Sequence, residues 1–249
     1  YEEAKKSNKA TASIKAAEQL ANLRARWAVQ LAEQGAQALA AESIETSISE
    51  LKGLNDLFSK TPERLSLIGS AYKRLAQISS GPERDNALEK MFSFYSEAWE
   101  LAQDNPYPLT NLLVAQALRY WLGTLKRKPN LKQKFETALS LTEDRKKRLT
   151  QDFWAAIGVT DIHVAQYLFV GELEPHQEVL VKQYRTAWQQ YGSPRELRSV
   201  IEHLGFIMAV LKTDAYQAEH DTDKREATRR ALYDVLDQFM WAKLALLIE

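Results

Sequence analysis

Apolar positions recur at three- and four-residue steps along almost the whole chain. Residues 12–41 (ASIKAAEQLANLRARWAVQLAEQGAQALAA) are rich in strong helix formers, and Leu20, Leu23, Trp27 and Leu31 mark one stripe of an amphipathic helix. A second helix is expected over residues 43–59, with Ile44, Ile48, Leu51, Leu54, Leu57 and Phe58 on its apolar side. Thr61-Pro62-Glu63 reads as the N-cap, N1 proline and first-turn acid of a third helix. Ser193-Pro194-Arg195-Glu196 repeats the device and adds a capping-box Glu. No stretch shows the two-residue alternation of a strand.

The pattern also repeats at long range. Leu65-x2-Ile68-Gly69-x2-Tyr72 leads, 30 residues after Leu65, to Tyr95-x2-Ala98-Trp99. Trp154-x2-Ile157-Gly158-x2-Asp161 leads at the same interval to Tyr184-x2-Ala187-Trp188, and every anchor keeps an offset of 89. Phe135-x2-Ala138 supplies a third aromatic-x2-Ala site between them. A small residue on one helix lets the next approach closely, while large apolar residues fill the space between neighbouring pairs. The W-x2-L-G-x2-Y half of the tetratricopeptide motif has this form, although the helix-to-helix spacing here is roughly ten residues longer than in a standard repeat of about 34.

These readings predict an all-α chain, a tetratricopeptide-like α-solenoid of about five antiparallel helix pairs, each burying its face on the next. Residues 1–60 are expected to form an N-terminal helical segment of capping or coiled helices, and residues 61–249 the repeat array. The expected core comprises Leu65, Ile68, Tyr72, Tyr95, Ala98, Trp99, Leu118, Trp121, Trp154, Ile157, Tyr184, Trp188, Leu204 and Phe239.

Composition narrows the function. The chain has 249 residues, 33 Lys+Arg against 33 Asp+Glu, and no Cys. Zero net charge gives no global attraction to nucleic acid or an anionic membrane. Without Cys there is no thiolate metal site, disulfide or Cys nucleophile, and a reducing cytoplasm is the expected location. No apolar run is read as a membrane span. The first residue, Tyr1, is not Met, and the chain is read as a piece of a longer protein.

GSAYKRLA (69–76) and FYSEAWELAQDNPYPLTNLLVAQAL (94–118) resemble the tetratricopeptide-like regulatory region of apoptosis-signal-regulating kinases. That region pairs a G-x-x-Y-K helix, here Gly69, Tyr72 and Lys73, with a Y-P-x-x-N helix start, here Tyr107, Pro108 and Asn111. QDFWAAIGVTD (151–161) and YRTAWQQYGSPRELRSVIEHL (184–204) look closer to the bacterial version linked to caspase-like peptidases of the CHAT class. The resemblance covers roughly residues 50–212. It implies a non-catalytic sensing or scaffolding module in a bacterial defence or cell-death system. Such a module would receive a protein partner or a nucleotide and control an effector peptidase in cis or in trans.

Candidate chemistry is sparse. Ser70-x2-Lys73 has the spacing of some Ser nucleophiles, but no S-D-N or K-T-G partner motif accompanies it. No phosphate-binding Gly-rich loop occurs, and the four His (163, 176, 203, 220) show no metal-ligand spacing. Glu219-His220-Asp221-x-Asp223 reads as a solvated loop rather than a metal site. Residues 124–148 (TLKRKPNLKQKFETALSLTEDRKKR) carry nine Lys/Arg against three acids, a local net of +6. Lys126, Arg127 and Lys128 head this stretch, which is either a solvated face or a surface for a nucleotide, an RNA backbone or an acidic partner. Asn111 is a poor helix former and needs a hydrogen-bond reason: either a neighbouring turn or a ligand. Lys73, Arg74, Asn111 and Arg119 together are candidates for an anionic messenger, with Tyr107 and Arg195 as further contacts. No cofactor is expected.

Overall fold

The long helix expected over residues 12–41 is two helices, and Gly35 is the reason. The computed structural model describes residues 14–212, 224–237 and 244. In it α1 (Ile14–Glu33) ends in a Schellman turn: Gly35 N–H donates to Ala32 O at 3.0 Å and Ala36 N–H to Leu31 O at 2.9 Å. Gly35 takes φ 87°, a left-handed conformation that costs a residue with Cβ about 1–2 kcal/mol. The chain then reverses into α2 (Gln37–Leu57).

Two compact units divide the chain, Tyr1–Ala102 and Gln103–Glu249. The first continues with α3 (Pro62–Ile78) and α4 (Gly81–Leu101). The second holds α5 (Pro106–Trp121), α6 (Lys132–Arg148), α7 (Phe153–Val170), a 3-10 turn (Glu174–His176), α8 (Gln177–Tyr191), α9 (Pro194–Leu211) and α10 (Lys224–Val235). Among the described residues there is no strand, and the fold is all-α, of the tetratricopeptide-like α-solenoid class. Phe239 lies outside the described residues, as does the segment Glu219–Asp223.

Packing in the first unit departs from the expected stripe. The buried face of α1 is Glu18, Ala21, Ala25, Ala28 and Leu31, whereas Leu23 and Trp27 are exposed. Small side chains let α2 and α3 come close to the α1 backbone, and this wins over burying the larger stripe about a third of a turn away. On α2, Ile44, Ile48 and Leu51 are buried, but Leu57 and Phe58 at its end are exposed. Glu18 reaches Arg64, whose Nε donates to Glu18 Oε1 at 2.8 Å with both side chains buried. Arg64 Nη1 also donates to Ser59 O at 2.9 Å. This pair joins α1 to α3 across residue 60, within the first unit.

Thr61 caps α3 as predicted, accepting from Arg64 N–H at 3.1 Å with Pro62 at N1. Along α3, Leu65 and Ile68 are buried, and Gly69 meets the ring of Tyr95 on α4. A Cβ placed on Gly69 would stand 3.0 Å from Tyr95 Cδ2 and Cε2. Tyr72 stacks on Phe94, with ring centroids 5.6 Å apart.

The second unit uses the same frame with different chemistry. Ile157, Gly158, Tyr184 and Ala187 occupy the positions of Ile68, Gly69, Tyr95 and Ala98, and the apolar residues among them are buried in both. Gly158, however, faces Thr142 on α6, with Thr142 Cγ2 3.1 Å from where its Cβ would be. Tyr184 donates its hydroxyl to Asp161 Oδ1 at 2.6 Å, the residue standing where Tyr72 does in the first pair. Trp154 is the clear correction: it is 44% exposed, whereas its counterpart Leu65 is fully buried. Trp99 and Trp188 are half-buried. Leu118, Trp121 and Leu204 are buried as expected. Phe153–Val170 is, against expectation, long and apolar enough to cross a membrane. It serves as a core helix in this unit, burying Ile157, Ile162, Val164, Ala165, Leu168 and Phe169.

Burial, and after it the Asp161 carboxylate, hold the Tyr184 phenol well above its ordinary range. A phenol whose pKa is raised by folding contributes stability that is complete below its unfolded value of 10.0 and is lost as pH rises beyond it. Tyr184→Phe is therefore expected to cost about 1.5–3 kcal/mol at pH ~8, the value of a hydrogen bond to a charged acceptor. The difference between the two chains should shrink above pH ~10, read from urea denaturation at a series of pH values.

Candidate interaction surface

Ser70 is occupied. Arg74 Nη1 donates to its hydroxyl at 2.6 Å and to its backbone carbonyl at 3.0 Å. A guanidinium cannot take the hydroxyl proton as a base would, and Lys73 on the same helix is half-buried. The neighbouring cation engaged with aromatic groups is Lys52 on α2, which sequence reasoning did not single out. Its ammonium donates to the Tyr72 hydroxyl at 2.8 Å and lies 5.2 Å and 5.6 Å from the Tyr72 and Phe94 ring centres. Lys73 and Arg74 belong to the first unit.

The Y-P-x-x-N stretch is a helix start. Asn105 caps α5 by accepting from Tyr107 N–H at 3.1 Å, and Pro106 stands at N1. Tyr107 is half exposed. Asn111 is 5% exposed, and its Nδ2 donates to Tyr107 O at 3.0 Å. Of the two roles open to Asn111 in the sequence, the neighbouring turn takes it. Arg119 is half-buried in the last turn of α5, where a cation is favoured by the helix dipole. Arg195 is exposed in the first turn of α9, beside the capping box that Ser193 and Glu196 complete at 2.8 Å.

The basic stretch does not form one patch. Lys128, itself exposed, lays its ammonium over three rings, 4.7 Å from the Phe169 ring centre, 5.4 Å from Tyr120 and 5.7 Å from Trp121. Burial pulls its pKa below the ordinary lysine value, with Glu172 opposing. Arg225 packs on one of these same rings, with its guanidinium carbon 4.6 Å from the centre of Tyr120. Lys126 and Arg127 remain exposed in the loop before α6. Arg145, Lys146, Lys147 and Arg148 crowd the last turn of α6, separated from Lys132 by a helix of 17 residues, about 25 Å.

The sequence reading counted these four cations in the basic stretch but did not join them to the apolar groups beyond. Beyond the four cations, Leu149 is 45% exposed, and Trp154 opens the first turn of α7. The turn between them is short: Asp152 N–H donates to Leu149 O at 3.4 Å, and Asp152 caps α7 through Ala155 N–H at 2.7 Å. The signal was present in the repeat itself, because Trp154 is far larger than the Leu65 it replaces. Elsewhere, Tyr167 is stacked between His176 at 3.7 Å and His163 at 5.8 Å. Burial lowers the pKa of His163. Among the described residues, no group of three or more His, Cys, Asp or Glu is placed to hold a metal ion.

A family model described as Tetratricopeptide Repeats-Sensor matches residues 1–118, which therefore carry a tetratricopeptide-like domain. No curated protein and no solved structure matches the chain. Domains of this type are generally non-catalytic modules for protein interaction or sensing.

Proposed function

We propose that this chain is a non-catalytic regulatory module that holds a protein partner on its helical-repeat surface and controls an attached or neighbouring effector. The observation that carries this reading is the sensor-type tetratricopeptide match over residues 1–118. The engagement of Ser70 by Arg74 is in keeping with it, since the guanidinium that bonds this hydroxyl cannot serve as its base. The choice of effector, a caspase-like peptidase of the CHAT class or another effector of a bacterial defence system, rests on the resemblance of residues 151–161 and 184–204. The module acts in the cytoplasm in this reading.

Affinity capture from the native host, with and without phage challenge, tests the proposal. Co-purification of one effector protein in stoichiometric amount is the expected result. Capture of nothing under either condition, with the chain folded and abundant, counts against it.

A further inference from the structure

We propose that the turn between α6 and α7 is a docking corner for an acidic protein segment that carries an apolar or aromatic residue. Four cations, Arg145 to Arg148, end α6, and no acid occurs among residues 145–151. Asp144 pairs with Lys147 at 3.5 Å, and Asp152, in the turn itself, is engaged as the cap of α7 by Ala155 N–H at 2.7 Å. Arg148 Nε donates to the Asp144 backbone carbonyl at 3.3 Å. The helix dipole favours cations in the last turn, and here all four positions of that turn are cationic. Lys146, Lys147 and Arg148 are exposed, and Leu149 and Trp154 flank them in the open.

Comparison of the two helix pairs shows that this exposure is not a packing requirement. At the Trp154 position the first pair buries Leu65 completely, and the frame around both, Ile68 and Ile157, is equally buried. A large ring has been placed where a buried Leu satisfies the fold. Trp and Arg are the residue types that dominate binding at protein interfaces.

Charge complementarity selects an acidic occupant, and the apolar pair selects a protein. A single exposed Trp lacks the succession of stacking platforms with which proteins follow single-stranded nucleic acid. Two apolar side chains also present little area for insertion into a lipid interface. A short acidic segment with one apolar residue meets the cations at close range, where zero net charge on the whole chain does not matter.

The full chain and a fluorescent peptide of about twelve residues, glutamates alternating with leucine and phenylalanine, test this by anisotropy at about 50 and about 300 mM salt. Saturable binding is expected, roughly tenfold weaker in K146E/K147E/R148E and roughly tenfold weaker in Trp154→Ala. The charge-neutral variant K146Q/K147Q/R148Q should fall between the natural chain and the reversal. Equal affinity of all variants overturns the proposal. So does binding as tight as the peptide's by polyglutamate, by a single-stranded oligonucleotide of equal charge or by phosphatidylserine vesicles. The corner rests on the regulatory reading above, yet the two fail separately. An effector captured equally well by the charge-reversed chain overturns the corner alone. Peptide binding that is lost on reversal, with no effector captured from the host, upholds the corner and counts against the regulatory reading.

Discussion

Arg64→Ala is expected to destabilise the first unit by about 3–5 kcal/mol, the cost of leaving one member of a buried ion pair without its partner. Glu18 is 5% and Arg64 4% exposed, and the 2.8 Å hydrogen bond between them joins the first helix to the third. Removing the guanidinium also withdraws the donor to Ser59 O in the link between α2 and α3. The charge, rather than the lost volume, sets the size of the effect. Glu18→Leu combined with Arg64→Met should therefore recover most of the loss, since an apolar pair of similar volume is often neutral or stabilising. The second helix pair supports this expectation, because the residue 89 positions after Arg64 is Phe153, which is buried. Guanidinium denaturation of both variants, followed by far-UV circular dichroism, reads the difference. A double variant no more stable than Arg64→Ala would show that the pair fixes geometry and not charge balance.

Gly69→Val should cost about 1–3 kcal/mol, with a larger value for Leu, because the new side chain must enter the ring of Tyr95. Even a bare Cβ there sits 3.0 Å from two ring carbons, and Tyr95, fully buried, has nowhere to turn. Gly69→Ala is expected to be close to neutral, since relief of glycine's helix penalty, about 1 kcal/mol, offsets the squeeze. Tyr95→Leu in the Gly69→Val background should return part of the loss, and a double-mutant cycle measures the coupling. At Gly158 the close atom is a Thr142 methyl at 3.1 Å instead of an aromatic ring, so Gly158→Val is expected to cost less than Gly69→Val. Equal costs at the two sites would break the link drawn here between ring contact and glycine.

Much of the fold was legible because helices announce themselves locally. The caps at Thr61 and Ser193 follow from side chains within three residues of the backbone groups they satisfy, and both form as read. The 89-residue echo found Ile68, Tyr95, Ile157 and Tyr184 because burial at matched helical positions constrains residue size in both pairs. The Gly35 break was missed, since a lone Gly in a strongly helical stretch is tolerated often enough not to force a turn. The α1 stripe failed for a different reason. Hydrophobicity ranks Leu23 and Trp27 above Ala21 and Ala25, but close approach of α2 and α3 needs the smaller residues.

Candidate sites were less legible than the core. Asn111 stood between a turn and a ligand until its amide was seen on Tyr107 O. Lys126, Arg127 and Lys128 looked alike in sequence, yet Lys128 alone lies over Tyr120, Trp121 and Phe169. Trp154 was assigned to the core by analogy with Leu65 and lies outside it.

By itself, then, the sequence determined the all-α class, the helix starts and the register of the repeat, all of which depend on near neighbours and on the 3.6-residue period. Only the tertiary structure decided which apolar face is buried, which Gly meets a ring, and which cations are drawn onto aromatic rings. Those outcomes depend on the distance and direction of groups tens of residues away, and a pattern along one chain does not encode them. The basic stretch shows the difference plainly. Its net of +6 is a property of sequence, whereas its separation into a lysine laid over aromatic rings and a corner beside Trp154 is a property of packing.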